Sequence, residues 1–246
     1  MRPDRLSFPQ LAPTRAEIAE ALAAVGGGVE GARRLGLPQT LADQVDHNTR
    51  LHRAPAVPVG QLYTGVLYDA LDLPTLTGPA RARATRWIVV VSSLYGALRL
   101  RDSVAPYRLA MGTSVPGLPP LAALWRPALA QALPPAAGRG LVVDLRSSDY
   151  VAAWRPERAV ASAWVHVAVP GATHHAKHTR GLVARAICEH GIDARTPRAL
   201  ADALRDVFGG HRYGHAAAQG RGVDLLEPAR AGAPWQLAVS QSVAQT

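Results

Sequence analysis

The apolar and polar residues of this chain follow two spacings, one typical of helices and one typical of strands. Apolar residues at helical spacing predict five helices, over residues 14–25, 29–35, 41–51, 176–190 and 197–208. The spacing of Thr14 and Glu17 predicts a capping box at the start of the first helix, and Gly191 is predicted to end the fourth.

Runs of β-branched and other apolar residues predict four strands, over residues 87–91, 141–145, 164–169 and 235–239. The first run is apolar without alternation, which predicts a strand buried on both faces and covered by helices. The glycine- and alanine-rich stretch between 208 and 235 is interpreted as low in complexity, and residues 240–246 as frayed. These elements predict one mixed α/β domain over 1–246.

The turn Gly36-Leu37-Pro38 between two predicted helices leaves two alternatives open. A helix-hairpin-helix would present the backbone amides of the turn to a phosphate, whereas an ordinary helical hairpin would only pack. The pattern alone favours the ordinary hairpin.

The net charge of the chain indicates which classes of binding partner to expect. The 246 residues carry a formal net charge of +9, which favours association with polyanions such as DNA, although a high arginine content also follows from GC-rich coding. The sequence contains neither an apolar run of membrane-spanning length nor a signal-like segment, so we predict a cytoplasmic protein with no membrane partner.

Lys177 is the only lysine, because 26 of the 27 basic side chains in the Lys+Arg total are arginine. An ammonium is a compact point charge and a guanidinium is a planar fork, so the two do not substitute for each other at a reactive site. Lys177 is therefore a candidate for a role that arginine cannot fill. The alternative is a solvated position near a helix end.

Cys188 is the only cysteine, which excludes an intramolecular disulfide and a zinc site built from cysteines. It falls in the apolar run 182–188, which predicts a small buried side chain, with a redox-sensing thiol as the alternative. The four-residue spacings of His174 with His178 and of His211 with His215 suit a metal, but neither pair has a carboxylate in a known zinc signature. We predict no metal and no cofactor.

Polar side chains collect after three of the predicted strands. They include Ser92, Ser93 and Tyr95 after the first strand, Asp144 with residues 146–149 after the second, and residues 174–180 after the third. Ligands of α/β sheets bind outside the carboxyl ends of the strands, so we expect the three groups to share one cleft.

Several of these segments resemble the motifs of the YaaA family of peroxide stress proteins, in the same order and spacing. The matching blocks are Tyr63-Thr64-Gly65, Ser93-Leu94-Tyr95-Gly96-Ala97-Leu98-Arg99, Asp102, Pro106-Tyr107-Arg108-Leu109-Ala110-Met111-Gly112, Leu124-Trp125, residues 143–150 and Lys177-His178-Thr179-Arg180-Gly181. The similarity is strongest over 63–191.

The resemblance implies a single α/β domain with an elongated basic cleft, a helix-hairpin-helix element, DNA binding, and a part in limiting oxidative damage linked to iron. Carried over by motif, the residues of the cleft would be Tyr63, Thr64, Tyr95, Arg99, Tyr107, Arg108, Asp144, Ser148, Lys177 and Arg180. Family members usually open with a hydrophobic strand and a lysine-bearing turn, and this sequence begins past that point. The expectation is a misassigned start or a diverged member.

Two functional hypotheses follow. In the first, a cytoplasmic DNA-binding stress protein contacts phosphates through arginines, with Tyr63, Tyr95 and Tyr107 available to stack on bases. For each tyrosine, packing beneath the cleft with a hydroxyl hydrogen bond is the open alternative. In the second, an enzyme acts on a small anionic or nucleotide-like substrate. Its candidate groups are Asp144, Asp149 or His178 as acid or base, Arg99 and Arg108 as an electrophilic pair, and Lys177 as nucleophile or base. The sequence names neither a substrate nor an oligomeric state.

Overall fold

The structure is a computed structural model that describes residues 5–157, 162–169, 173–209 and 221–241. Its α-helices are α1 Ala12–Val25, α2 Gly28–Arg34, α3 Ala42–Val45, α4 Val59–Leu62, α5 Val66–Leu71, α6 Gly78–Trp87, α7 Leu121–Ala137, α8 Ser148–Ala153, α9 Thr173–His190 and α10 Pro197–Phe208. Its strands are β1 Val57–Pro58, β2 Val89–Ser92, β3 Gly96–Arg99, β4 Ser103–Val104, β5 Val142–Asp144, β6 Trp164–Ala168, β7 Arg221–Leu226 and β8 Trp235–Gln241. The predicted α/β class is confirmed.

The chain divides into two compact units, and each is described by itself. The first unit takes the described parts of Met1–Leu62, Ile88–Ala136 and Arg146–Arg155, and the second takes those of Tyr63–Trp87, Ala137–Leu145 and Pro156–Thr246. The single-domain organisation over 1–246 stays a prediction.

The β2–β3 hairpin lies at the centre of the first unit. Strand β2 pairs antiparallel with β3, and its residues alternate between half-buried and buried. The prediction of a strand buried on both faces over 87–91 is therefore wrong, and the strand begins at Val89 because α6 continues to Trp87. Gly96 follows the turn with a positive φ of 72°, and a Cβ there would come within 2.6 Å of the Trp125 ring. Only glycine fits this position.

A buried arginine ties α1 to this hairpin. Arg15 Nε donates to Tyr95 O at 2.8 Å, and its Nη2 donates to Ala97 O at 3.0 Å and to Ser7 O at 2.9 Å. Burial lowers the pKa of Arg15 to about 10, opposed by the nearby Asp102 carboxylate. Asp102 in turn accepts from the backbone amides of Ser7 and Arg99. The network fixes the N-terminal segment of the unit.

The second unit is built on a four-stranded sheet in the order β5-β6-β8-β7. Strands β5, β6 and β8 run parallel, and β7 pairs antiparallel with β8 so that Arg221 lies opposite Gln241. Helices α9 and α10 pack on the sheet through a core that includes Val167, Val183 and Leu204. The carboxyl ends of three strands and the start of β7 therefore share one edge of the sheet.

The N-terminal boundaries of two helices differ from the sequence prediction. Helix α1 begins at Ala12 and no side chain caps it, so the predicted capping box of Thr14 and Glu17 is wrong. The 3₁₀ turn Pro9–Leu11 runs directly into α1, which leaves both residues inside the helix. Helix α9 begins at Thr173, three residues before its predicted start.

Strand β7 and helices α7 and α6 are among the elements missing from the sequence prediction. Strand β7 lies within the stretch interpreted as low in complexity, where no strand was predicted. Helix α7 contains Pro127, Pro134 and Pro135, and prolines usually argue against a helix interior. Helix α6 is short and mostly polar, but its Arg83 donates to the carbonyls of Cys188 and Glu189 at the end of α9.

No helix within the described residues is long and apolar enough to cross a membrane. The interpretation of residues 240–246 as frayed falls mainly outside these residues, since the description ends at 241.

Close packing of α9 against α5 yields a stability prediction at Gly181. A Cβ on Gly181 would overlap the carbonyl oxygen of Leu67 and lie 2.7 Å from Ala70 Cβ. Alanine favours a helix over glycine by about 1 kcal/mol, whereas forcing extra volume into a tight contact costs about 1–3 kcal/mol or more. We expect the clash to dominate, so that Gly181→Ala lowers the melting temperature.

Gly140→Ala is the matched control, because a Cβ there would meet its nearest neighbour, Ala137 O, at an ordinary 3.4 Å. Thermal unfolding followed by circular dichroism measures both variants. A Gly181→Ala variant at least as stable as the parent would contradict the described contact.

Candidate functional site

An irregular loop over residues 105–112 carries the Tyr-Arg-Leu-Ala-Met-Gly motif in the first unit. Because the loop lacks regular secondary structure, its backbone groups must find partners elsewhere. Side chains supply several of them: Tyr95 OH donates to Ala105 O at 3.2 Å, and Ser93 Oγ donates to Leu109 O at 2.8 Å. The turn that follows β2 therefore fixes the backbone of the loop through these two hydrogen bonds.

Tyr107 joins this support through its hydroxyl, which shares a hydrogen bond of 2.8 Å with Ser92 Oγ. Ser92 Oγ also accepts from the Tyr95 amide at 2.9 Å, and the Tyr95 and Tyr107 rings meet edge to face at 5.4 Å. Tyr95 is only 2% exposed, and burial raises the pKa of its hydroxyl well above the ordinary value. Burial therefore favours the alternative to base stacking, in which Tyr95 packs beneath the loop and its hydroxyl makes a hydrogen bond.

Tyr150 of α8 braces the far end of the loop. Its hydroxyl is hydrogen-bonded to the Ser93 side chain and to the Met111 backbone, and burial raises the pKa of Tyr150 to about 12. Ser93 has one proton, which it gives to Leu109 O, so Tyr150 donates to Ser93. The hydroxyls of Tyr95 and Tyr150 are therefore protonated at physiological pH and act as hydrogen-bond donors.

Arg108 is the residue that this support presents to solvent. The buried Asn48 holds its backbone by two hydrogen bonds, with Nδ2 donating to Arg108 O at 2.8 Å and Oδ1 accepting from Arg108 N at 2.8 Å. Asn48 belongs to the 3₁₀ helix Asp46–Arg50, so the two segments lie side by side. Sequence reasoning missed Asn48, because a lone asparagine carries no spacing signal.

Basic side chains lie in the two segments that this contact joins, and Asp46 and Asp102 flank these segments in the sequence. Residues 47–56 and 103–114 contain no acidic side chain. The Arg108 surface, as we name it, consists of the exposed arginine and histidine side chains of these two segments: His47, Arg50, His52, Arg53 and Arg108.

The remaining candidates in the first unit lie at its surface or near it. Arg99 is half-buried and its guanidinium lies 5.7 Å from the centre of the Phe8 ring. Ser148 and Asp149 are exposed at the start of α8, and a Cβ on Gly112 would lie 3.1 Å from the Asp149 carboxylate. Asp149 therefore stands beside the end of the 105–112 loop.

In the second unit, the predicted residues Asp144 and Arg180 come together at the carboxyl edge of the sheet. Asp144 is the last residue of β5, is 3% exposed, and accepts from Trp164 Nε1 at 3.1 Å. Arg180 Nε donates to Val167 O at 3.0 Å. Burial lowers the pKa of Arg180, and the Asp144 carboxylate opposes this effect. The expectation of one cleft shared by all three strand ends stays a prediction.

The other predicted residues of this unit are more accessible. Lys177 and His178 are exposed on α9, and Thr64 is exposed before α5. Tyr63 is half-buried and stacks on Tyr68, with ring centres 5.6 Å apart. Their roles as binding or catalytic residues stay predictions.

Arg221 is a residue of this edge that sequence reasoning missed. Its Nη1 donates to Oγ1 of the buried Thr179 at 3.0 Å, and its Nε is buried with no hydrogen-bond partner among the residues that the structure describes. Burial lowers the pKa of Arg221. It follows a glycine- and alanine-rich stretch that gives no strand signal, so no pattern placed it at the sheet.

The predicted helix-hairpin-helix turn uses its amides internally. Gly36 N donates to Arg33 O at 3.0 Å and Leu37 N donates to Ala32 O at 2.9 Å. These two amides therefore serve the end of α2. The helix-hairpin-helix stays a prediction.

Within the described ranges, no three histidine, cysteine, aspartate or glutamate side chains gather as metal ligands. His174 and His178 are both exposed on α9, and the pair His211 and His215 lies outside the described residues. Cys188 is 2% exposed, as the apolar run predicted, and burial raises the pKa of its thiol to about 11. A buried thiol of this kind is a poor nucleophile toward peroxide.

The family described as peroxide stress protein YaaA matches residues 2–212, and the chain belongs to that family. A UPF0246 protein of Streptomyces coelicolor is 42% identical over 242 residues, which cover 95% of this chain and 88% of that protein. A UPF0246 protein of Corynebacterium efficiens is 34% identical over 81% of this chain and 82% of its own length. The resemblance inferred from the motifs is confirmed.

The environment of Cys188 predicts slow thiol chemistry. A thiol pKa of about 11 against an ordinary 9.0 reduces the thiolate fraction near pH 8 by about a hundredfold, and burial further blocks access. Labelling with a chromogenic disulfide reagent is therefore expected to be slow in native buffer and fast in guanidinium chloride. Rapid stoichiometric labelling of the native protein would contradict the burial and restore the redox-sensor hypothesis.

Proposed function

We propose that the chain is a cytoplasmic nucleic-acid-binding protein of the peroxide stress response, and that it holds phosphates on the Arg108 surface. The observation that carries the proposal is the pair of Asn48 hydrogen bonds, which fixes an exposed arginine against the 3₁₀ helix Asp46–Arg50. Membership of the peroxide stress family supports the link to oxidative damage.

The chemistry of the Arg108 surface suits a polyanion. Arginine forks donate two parallel hydrogen bonds to phosphate oxygens, and no acidic side chain in 47–56 or 103–114 neutralises them. Each phosphate that such a surface neutralises releases counterions into solution, which makes the affinity steeply dependent on salt. Phosphate contacts of this kind do not depend on base sequence.

The support beneath the loop favours binding by an already ordered surface. Arg108 follows Tyr107 and precedes Leu109, and all three are held by hydrogen bonds to Asn48, Ser92 or Ser93. A backbone fixed before binding loses less conformational entropy when a phosphate is held. The tyrosines thus contribute to phosphate binding by fixing the backbone of the loop that carries Arg108.

Salt dependence measures the contribution of Arg108. For a labelled DNA duplex, Arg108→Ala is expected to lower the slope of log affinity against log salt by about 0.9 for each phosphate that the variant no longer neutralises. Fluorescence anisotropy from low to moderate salt gives the slope.

Arg33→Ala is the matched control, because it removes the same charge from the same unit. Arg33 is exposed and already paired with Glu30 at 2.7 Å, so its loss is expected to leave the slope unchanged. Equal slopes for the two variants would show that the protein attracts DNA only through its overall charge, and the proposal would be wrong.

A further inference from the structure

We propose that Arg221 and Thr179 form a binding site for a phosphate group, either free phosphate or a phosphate monoester, at the carboxyl edge of the second unit's sheet. The proposal is independent of the nucleic-acid proposal, which uses residues of the other unit. It rests on the geometry of Arg221, on its charge balance and on the hydrogen-bonding capacity of its partner.

Topology brings the two residues together from distant parts of the sequence. Arg221 is the first residue of β7 and lies opposite Gln241, the last residue of β8, so it stands where β8 ends. Thr179 lies on α9, the helix that follows β6 in the chain. Ligands of α/β sheets bind at this edge because loops and helix ends leave room there.

Arg221 is a cation whose charge balance differs from that of Arg180. Among the described residues, no carboxylate pairs with its guanidinium, in contrast to Arg180, whose charge is balanced by the buried Asp144. Burying a cation without a counter-charge raises the free energy of the folded protein, and binding of an anion lowers it again. The unpartnered Nε adds a donor that is already removed from water.

The remaining hydrogen-bonding capacity at this point consists of donors. Arg221 uses Nη1 on Thr179, which leaves Nε and Nη2 on adjacent corners of the guanidinium. Thr179 accepts through Oγ1, so its own hydroxyl proton is available to donate. A group that offers only acceptor oxygens and a negative charge satisfies all of these donors, and phosphate does so with two charges.

Calorimetric titration at constant ionic strength tests the site with inorganic phosphate, adenosine 5′-monophosphate and adenosine. The parent protein is expected to bind phosphate and the nucleotide but not the nucleoside. The tighter of the two phosphate ligands identifies whether free phosphate or a monoester is the better match. Absence of phosphate binding to the parent, or equal binding of adenosine, would overturn the proposal.

Arg221→Gln is expected to weaken phosphate binding by about ten- to a hundredfold, the effect of losing charge-assisted hydrogen bonds. Thr179→Val, which keeps the shape of the side chain, is expected to weaken it less. If Arg221→Gln does not fold, Arg221→Lys tests the same point, because it retains the charge but loses the fork and is expected to bind with intermediate affinity.

Arg195→Gln is the matched control, since Arg195 is exposed in the same unit and pairs with Asp193 at 3.3 Å. Its phosphate affinity is expected to equal that of the parent. A phosphate affinity of Arg221→Gln equal to that of Arg195→Gln would overturn the site and leave the nucleic-acid proposal untouched.

Discussion

Asn48 makes the contact on which the candidate surface of the first unit depends. Its side-chain amide donates to the carbonyl of Arg108 and accepts from the amide of the same residue, as a neighbouring strand would. The 105–112 loop has no regular partner strand there, so without Asn48 the two backbone groups would lose these bonds. Both hydrogen bonds are part-buried, and a typical hydrogen bond contributes about 0.5–1.5 kcal/mol to the stability of a domain. The position of Arg108 thus depends on one uncharged side chain.

Other polar side chains that pack against the 105–112 loop also hold it by hydrogen bonds. Ser92, Ser93, Tyr95 and Tyr150 are buried or partly buried and hold neighbouring residues of the loop. Burial raises the pKa of Tyr95 and Tyr150, so both hydroxyls stay protonated and remain donors. The motif that signals the family is therefore largely explained by support of a loop. The same reasoning removes Cys188 from consideration as a peroxide-reactive thiol.

The sequence predicted the parts of the fold that have a local signal. Helix α10 has the predicted bounds, and strands β5, β6 and β8 lie where apolar runs indicated them. Helix α7 was missed because its prolines oppose the apolar spacing of Leu121, Trp125 and Leu129, which are nevertheless buried together in the first unit. Strand β7 was missed because tertiary pairing with β8, and not composition, makes it a strand.

The candidate site residues also divide into those that have a local sequence signal and those that do not. Arg108 and Arg180 were found because they belong to motifs, and Asp144 because it ends an apolar strand. Asn48 and Arg221 were not found, because each acts through a partner 60 or 42 residues away in sequence. The sequence left the role of Tyr95 open between stacking and packing, since both roles use the same residue type and only burial separates them.

The affinity of Asn48→Ala for duplex DNA tests the account most directly, because this substitution leaves the net charge of +9 unchanged. The comparison is Thr196→Ala, which removes the hydrogen bond that caps α10 in the other unit and also leaves the charge unchanged. With both variants folded, Asn48→Ala is expected to bind DNA several-fold more weakly than Thr196→Ala, and Arg108→Ala is expected to add little to it. Equal affinity of Asn48→Ala and Thr196→Ala would contradict the claim that a positioned arginine, and not overall charge, binds the phosphates.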